Sequence, residues 1–149
     1  MSVKEYINKN KSRFLDELFE LLKIPSVSAD QTFKKEVDKA AEYLVNQFNN
    51  LDLDNVEKIK TDGHPIVYAE KILKDSIPTI LVYGHYDVQP ADPYELWETP
   101  PFEPNIRNNK IYARGACDDK GQMYMHLKAY ETLKQLDQIN FNIKFMIEG

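Results

Sequence analysis

The sequence holds a single cysteine, Cys117, in 149 residues, so no disulfide can form within the chain and the fold has to rest on its apolar core. Clustered positive charge is scarce: 19 Lys and Arg stand against 24 Asp and Glu, a formal net charge of -5. A phosphate-binding surface needs a local surplus of cations. No segment supplies one, so nucleic acid is not an expected partner, and a small substrate or another protein is. Long apolar runs are missing as well. No stretch approaches the roughly 20 residues of a membrane span, and the opening MSVKEYINKNKSRFLDE has no apolar centre of a secretory signal. The expectation is a cytoplasmic chain with no membrane partner. Internal repeats and low-complexity tracts are absent, and 42% hydrophobic residues suffice for one globular core.

What is present alternates between two periods. Over residues 4–23, Ile7, Phe14, Leu15, Leu18, Phe19 and Leu22 recur at helical spacing until Pro25 stops the pattern. A second amphipathic helix is predicted over residues 32–49, with Val37, Ala40, Ala41, Leu44 and Phe48 on its apolar stripe. VEKIK, then PIVYAEKI after the turn TDGHP, then PTILVYG read as strands, and the unbroken apolar character of the last predicts a strand buried on both faces. Residues 87–104 form a proline-rich loop, too long to be mere connection. KIYARG follows as a short strand, DKGQMYMHLKAYETLKQL as a helix, and NFNIKFMIEG as a strand that turns Phe141, Ile143, Phe145 and Ile147 to one face. Such alternation predicts an α/β fold, a largely parallel or mixed sheet flanked by helices.

Chemistry concentrates in two places. In YGHYDVQP, His85 and Asp87 lie two apart where the apolar run breaks. Continued strand geometry would point both the same way, about 7 Å apart. A neutral imidazole is a common zinc ligand, and a carboxylate can orient it through the other ring nitrogen. The pair also falls beyond the carboxyl end of a strand, where open α/β sheets bind ligands. In ARGACDDKG, Asp118 and Asp119 adjoin just before a helix. One carboxylate could simply cap that helix, but a second anion beside it calls for a cation. An aspartate can bridge two divalent ions about 3.5 to 4 Å apart, and Asp118 is the candidate for that role.

Other conspicuous residues have plainer uses. His64 belongs to the TDGHP turn, His126 to the exposed or locally bonded part of a helix, and Cys117 to a turn that needs a small side chain. Lys120-Gly121 lacks the glycine spacing of a phosphate-binding loop. Trp97 and Phe102 are expected to pack the long loop, and Met123, Met125, Leu127, Tyr130 and Leu133 to pack their helix on the sheet.

Taken together, GHYDVQP, W-x-x-P-P-F-E-P over residues 97–104 and R-G-x-x-D-D-K-G over 114–121 resemble a dinuclear zinc metallopeptidase family. That family includes carnosinase-type dipeptidases, aminoacylases and glutamate-releasing carboxypeptidases; IPSVSAD and GHPIVYAE fit it too. The resemblance implies a zinc-exopeptidase-like fold in which residues 1–149 are the N-terminal portion of a catalytic domain, truncated, with the lid or dimerisation domain and the rest lying outside. It implies two zinc ions, His85 as ligand to one, Asp118 as the bridge between both, Asp87 as the catalytic carboxylate supporting the centre, and a cis peptide between Asp118 and Asp119. The general base of the family is the first of a Glu-Glu pair beyond the last strand seen here. Glu148 matches an earlier glutamate and is not assigned catalysis. The implied activity of the parent protein is hydrolysis of small peptides, dipeptides above all. The 149 residues alone are expected to bind zinc weakly, to be inactive, and to self-associate through an exposed sheet edge. Deacylation of N-acyl amino acids, a noncatalytic binding module and a metal-dependent phosphatase stand as alternatives.

Overall fold

Helix formation begins at Ser2, whose hydroxyl accepts the Glu5 amide hydrogen while the Glu5 carboxylate accepts the Ser2 amide at 2.7 Å. This reciprocal cap opens α1 (Val3–Leu22). The computed structural model describes Met1–Gly149 throughout. A single turn at Gln31–Phe33, capped by Asp30, leads into α2 (Lys34–Asn49), whose buried residues are the predicted stripe Val37, Ala40, Ala41, Leu44 and Phe48. In chain order the strands are β1 (Asn55–Ile59), β2 (Ile66–Lys71), β3 (Thr79–His85), β4 (Asn105–Arg107), β5 (Lys110–Tyr112) and, after α3 (Lys120–Gln135), β6 (Asn142–Glu148).

Four strands form one sheet in the order β1-β2-β6-β3. The β1–β2 and β2–β6 pairs are antiparallel and β3–β6 is parallel, so the sheet is mixed. The segment read as the short strand KIYARG pairs only with β4, in a separate two-stranded ribbon. One core joins Val67, Ala69, Val82, Ile143, Phe145 and Ile147 of the sheet to the apolar sides of α2 and α3, and α1 lies against α3. No helix is long and apolar enough to cross a membrane.

The expectation for PTILVYG needs correction. β3 is an edge strand, and Leu81 and Tyr83 are 58% and 57% exposed on the sheet face turned away from the core. A continuous apolar run signals that both faces can be covered, and here helices cover only one.

Four charges are folded into the helix layer. Lys128 lies 2.5 Å from Glu17 and 2.9 Å from Glu131, and Arg13 pairs with both glutamates. Burial alone would raise the Glu131 carboxyl; its bonds to Arg13 and Lys128 outweigh that and hold it below its ordinary 4.5. Its stabilising contribution is therefore complete above that value and lost as pH falls through the lower, folded value. Glu131→Gln is expected to cost about 3 kcal/mol at pH 7, because it leaves two cations short of a partner, and the gap to wild type should shrink at pH 3. Urea unfolding at both pH values checks this, and a gap that does not change with pH would contradict it.

Candidate metal centre

β3 delivers His85 at its C-terminal end, and Gly84 lets the start of α3 approach. A Cβ at residue 84 would sit 2.7 Å from Asp119 Oδ2 and 3.1 Å from Met123 Cβ. β3 ends at His85, but the backbone runs on, with Tyr86 N–H donating to the Glu148 carbonyl and Val88 bridging Val27. Asp87 lies on the same side as His85, as strand geometry predicts, and its carboxylate reaches the ring. His85 Nδ1 is 2.9 Å from Asp87 Oδ1 and 3.2 Å from the Asp87 carbonyl oxygen. Both are acceptors, so Nδ1 carries the proton. The other ring nitrogen, Nε2, faces Asp118 Oδ1 at 3.2 Å. Burial alone would lower the His85 pKa, but the carboxylates of Asp87 first and Asp119 after it hold it above its ordinary 6.5.

The aspartate pair divides its labour. The Asp118 side chain is 83% exposed apart from its approach to His85. The Asp118–Asp119 peptide is cis, as the resemblance implied. Asp119 does not cap α3 through its side chain; its Oδ2 accepts the backbone N–H of His85 at 3.1 Å. Simple capping thus fails as an account of this pair. The turn before it needs Gly115, at φ 83, a conformation that suits glycine.

Several residues that build the site lie in stretches that carry the resemblance, Lys120 in R-G-x-x-D-D-K-G and Ser26 and Ser28 in IPSVSAD, but nothing in the sequence assigned them to it. Lys120 is completely buried, and its Nζ donates to the carbonyls of Leu21 at 3.1 Å and Ile24 at 2.7 Å, tying the start of α3 to the end of α1. Burial pushes its pKa down to about 7. The segment just after α1 also runs alongside the residues following His85. Val27 forms a parallel bridge with Val88, Val88 N–H donates to the Ser26 carbonyl at 2.9 Å, and the Ser26 hydroxyl donates to the Tyr86 carbonyl at 2.7 Å. The Ser28 hydroxyl donates to Asp87 Oδ2.

Most residues given plainer uses keep them, but Met125, expected to pack α3 on the sheet, is 60% exposed. His126 is exposed on α3, Cys117 is exposed and free, and His64 lies in the β1–β2 turn with its ring against the Ser28 carbonyl. Trp97 packs its loop and donates its indole N–H to Ala91 at 2.8 Å.

The donor chemistry of the site fits zinc. The lone pair of Nε2 confronts a carboxylate oxygen, an arrangement that is repulsive unless a proton or a metal cation lies between them. Imidazole nitrogen and carboxylate oxygen are ordinary zinc donors, and the Nδ1–carboxylate bond is the support such a histidine requires. The set is partial: no group of three or more His, Cys, Asp or Glu side chains is gathered around one point.

Residues 81–149 match the family model for Peptidase family M20/M25/M40. The chain is 34% identical to the Cys-Gly metallodipeptidase dug1 of Schizosaccharomyces pombe, over 96% of this chain and 32% of that protein. Human carnosine dipeptidase 1 superposes with a TM-score of 0.90 at 29% identity, covering 98% of this chain and 33% of the other. The M20 family metallo-carboxypeptidase Sso-CP2 from Sulfolobus solfataricus gives a TM-score of 0.83 at 41% identity, over 91% and 30%. The chain spans about a third of the length of these relatives. Residues 81–149, which hold His85, Asp87 and Asp118, match the model of Peptidase family M20/M25/M40, and the chain as a whole shares its fold with about a third of these solved structures.

Proposed function

We propose that this chain is the N-terminal portion of the catalytic domain of a zinc-dependent peptidase whose substrates are dipeptides. His85 and Asp118 are its metal ligands, and Asp87 is the carboxylate that supports them. The observation that carries this reading is the line Asp87–His85–Asp118, with a carboxylate on each nitrogen of one imidazole. The names of relatives support the substrate class: one is a Cys-Gly metallodipeptidase and another a carnosine dipeptidase. A cytoplasmic setting belongs to the same proposal, supported by one exposed, unpaired thiol.

His85 Nε2 and the Asp118 carboxylate would hold the zinc, and the exposed remainder of Asp118 suits it to a second ion. When bound, zinc supplies Lewis acidity, lowering the pKa of water and polarising a peptide carbonyl. The chain's own residues do the positioning. Asp87 fixes the proton on Nδ1 and so presents Nε2 as a donor. Asp119 holds the His85 backbone, while Lys120 anchors the start of α3. Glu148 accepts a hydrogen bond from the Tyr83 hydroxyl and takes no part in the line, in keeping with a general base that lies outside these residues.

Two expectations follow. With two protein ligands, this chain should bind zinc well short of the roughly 10–16 kcal/mol of a full structural site, and Asp118→Asn should abolish what binding there is. Calorimetry measures both, and tight binding or indifference to the substitution would count against the assignment. In the longer protein, dipeptides are expected to be cleaved and N-acyl amino acids spared. Asp87→Asn should lower kcat/KM by about 10- to 100-fold and His126→Gln should leave it unchanged. Exclusive deacylation in the same assay would overturn the dipeptidase reading.

A further inference from the structure

We propose that Ser28 is a positioning residue that locks the plane of the Asp87 carboxylate and, through it, the ring of His85. The significance for metal binding rests on the reading of His85 and Asp118 as ligands; the positioning itself does not. The torsion that turns a carboxylate is broad, so one bond from His85 Nδ1 would leave Asp87 free to rock. Its two oxygens have separate partners: Oδ1 meets His85 Nδ1 at 2.9 Å, and Oδ2 accepts the hydroxyl hydrogen of Ser28. A carboxylate held at both oxygens has one orientation, and so has the imidazole bonded to it.

Ser28 is itself held from behind. His64, in the turn between β1 and β2, places Nε2 3.2 Å from the Ser28 carbonyl oxygen and donates to it. Thr61 secures that turn by donating its hydroxyl to the His64 carbonyl at 2.6 Å. A continuous series of contacts therefore runs from the β1–β2 turn through Ser28, Asp87 and His85 to Asp118. The neighbouring Ser26 has a different task. It is completely buried and bonds only backbone, and together with the Val27–Val88 bridge it joins this segment to residues 86–88. Ser28 is half-buried and its hydroxyl reaches a side chain of the site. Removing that hydroxyl should leave the join intact and free Asp87.

The test compares Ser28→Thr with Ser28→Val, nearly isosteric variants that differ by the hydroxyl. In metal-free chain, nitrogen-15 NMR should show a protected His85 Nδ1–H in wild type and in Ser28→Thr. In Ser28→Val the signal should be lost to solvent exchange, with the unfolding midpoint matching that of Ser28→Thr. Zinc affinity should fall about tenfold in Ser28→Val and recover in Ser28→Thr. Ser28→Ala, which lacks the branched Cβ, should behave like Ser28→Val. Retention of the signal in Ser28→Val and Ser28→Ala, or its equal loss in Ser28→Thr, would overturn the proposal. If zinc moves no His85 resonance even in wild type while Ser28→Val still releases Nδ1–H, the ligand assignment falls and the positioning role stands.

Discussion

An imidazole with a carboxylate facing each nitrogen must place its proton, and at His85 the placement is settled on one side only. Asp87 takes the Nδ1 hydrogen at 2.9 Å, and the opposite nitrogen is left pointing at Asp118 across 3.2 Å. In the neutral ring two electron-rich atoms then confront each other, so the gap favours a cation. A proton meets that need; the histidine pKa already lies above 6.5 against the burial that opposes it, raised by Asp87 and then by Asp119. A divalent metal meets it as well, and the chemistry proposed for the longer protein begins from this substitution of one cation for another.

The fold brings the two carboxylates to the ring from distant parts of the chain. Asp87 arrives by local geometry, two residues beyond His85 on the same side of the chain. Asp118 has to be carried in by α3, whose start presses against β3 at a residue where no side chain would fit. Lys120 secures that approach from within. Burying an amine is costly, and the penalty is offset only because two carbonyls at the end of α1 receive it. The same end of α1 leads into the segment that grips residues 86–88. Both halves of the centre are thus referred to one stretch of backbone, residues 21–28, which has no ligand of its own.

Much of this was legible in the sequence where it is written in periods or in chemically scarce residues. The stripes of α1, α2 and α3 and the alternation of β6 gave their elements, and for α2 and β6 their buried faces, while Ile7 of α1 and Met125 of α3 are exposed. The two-residue spacing of His85 and Asp87, and the adjacent Asp118 and Asp119, marked the site. The apolar run of β3 misled, because composition tells how greasy a strand is and not how many neighbours it has. A helix cap was the plain account open to one of the two aspartates, yet the Asp119 side chain serves the His85 backbone. Ser26, Ser28 and Lys120 stand in stretches that carry the resemblance, but their parts in the site could not be read there. Their partners lie 59 to 99 residues away in sequence, and a serine or lysine carries no periodic signal of such a contact. His64 was rightly placed in a turn, but the turn's reach to Ser28 could come only from the fold.

The most direct measurement is a zinc-edge anomalous difference map from crystals grown with zinc. A peak within about 2.0 to 2.2 Å of both His85 Nε2 and an Asp118 carboxylate oxygen is the result these contacts require. A site empty at His85 while zinc occupies Cys117 or His126 would contradict it.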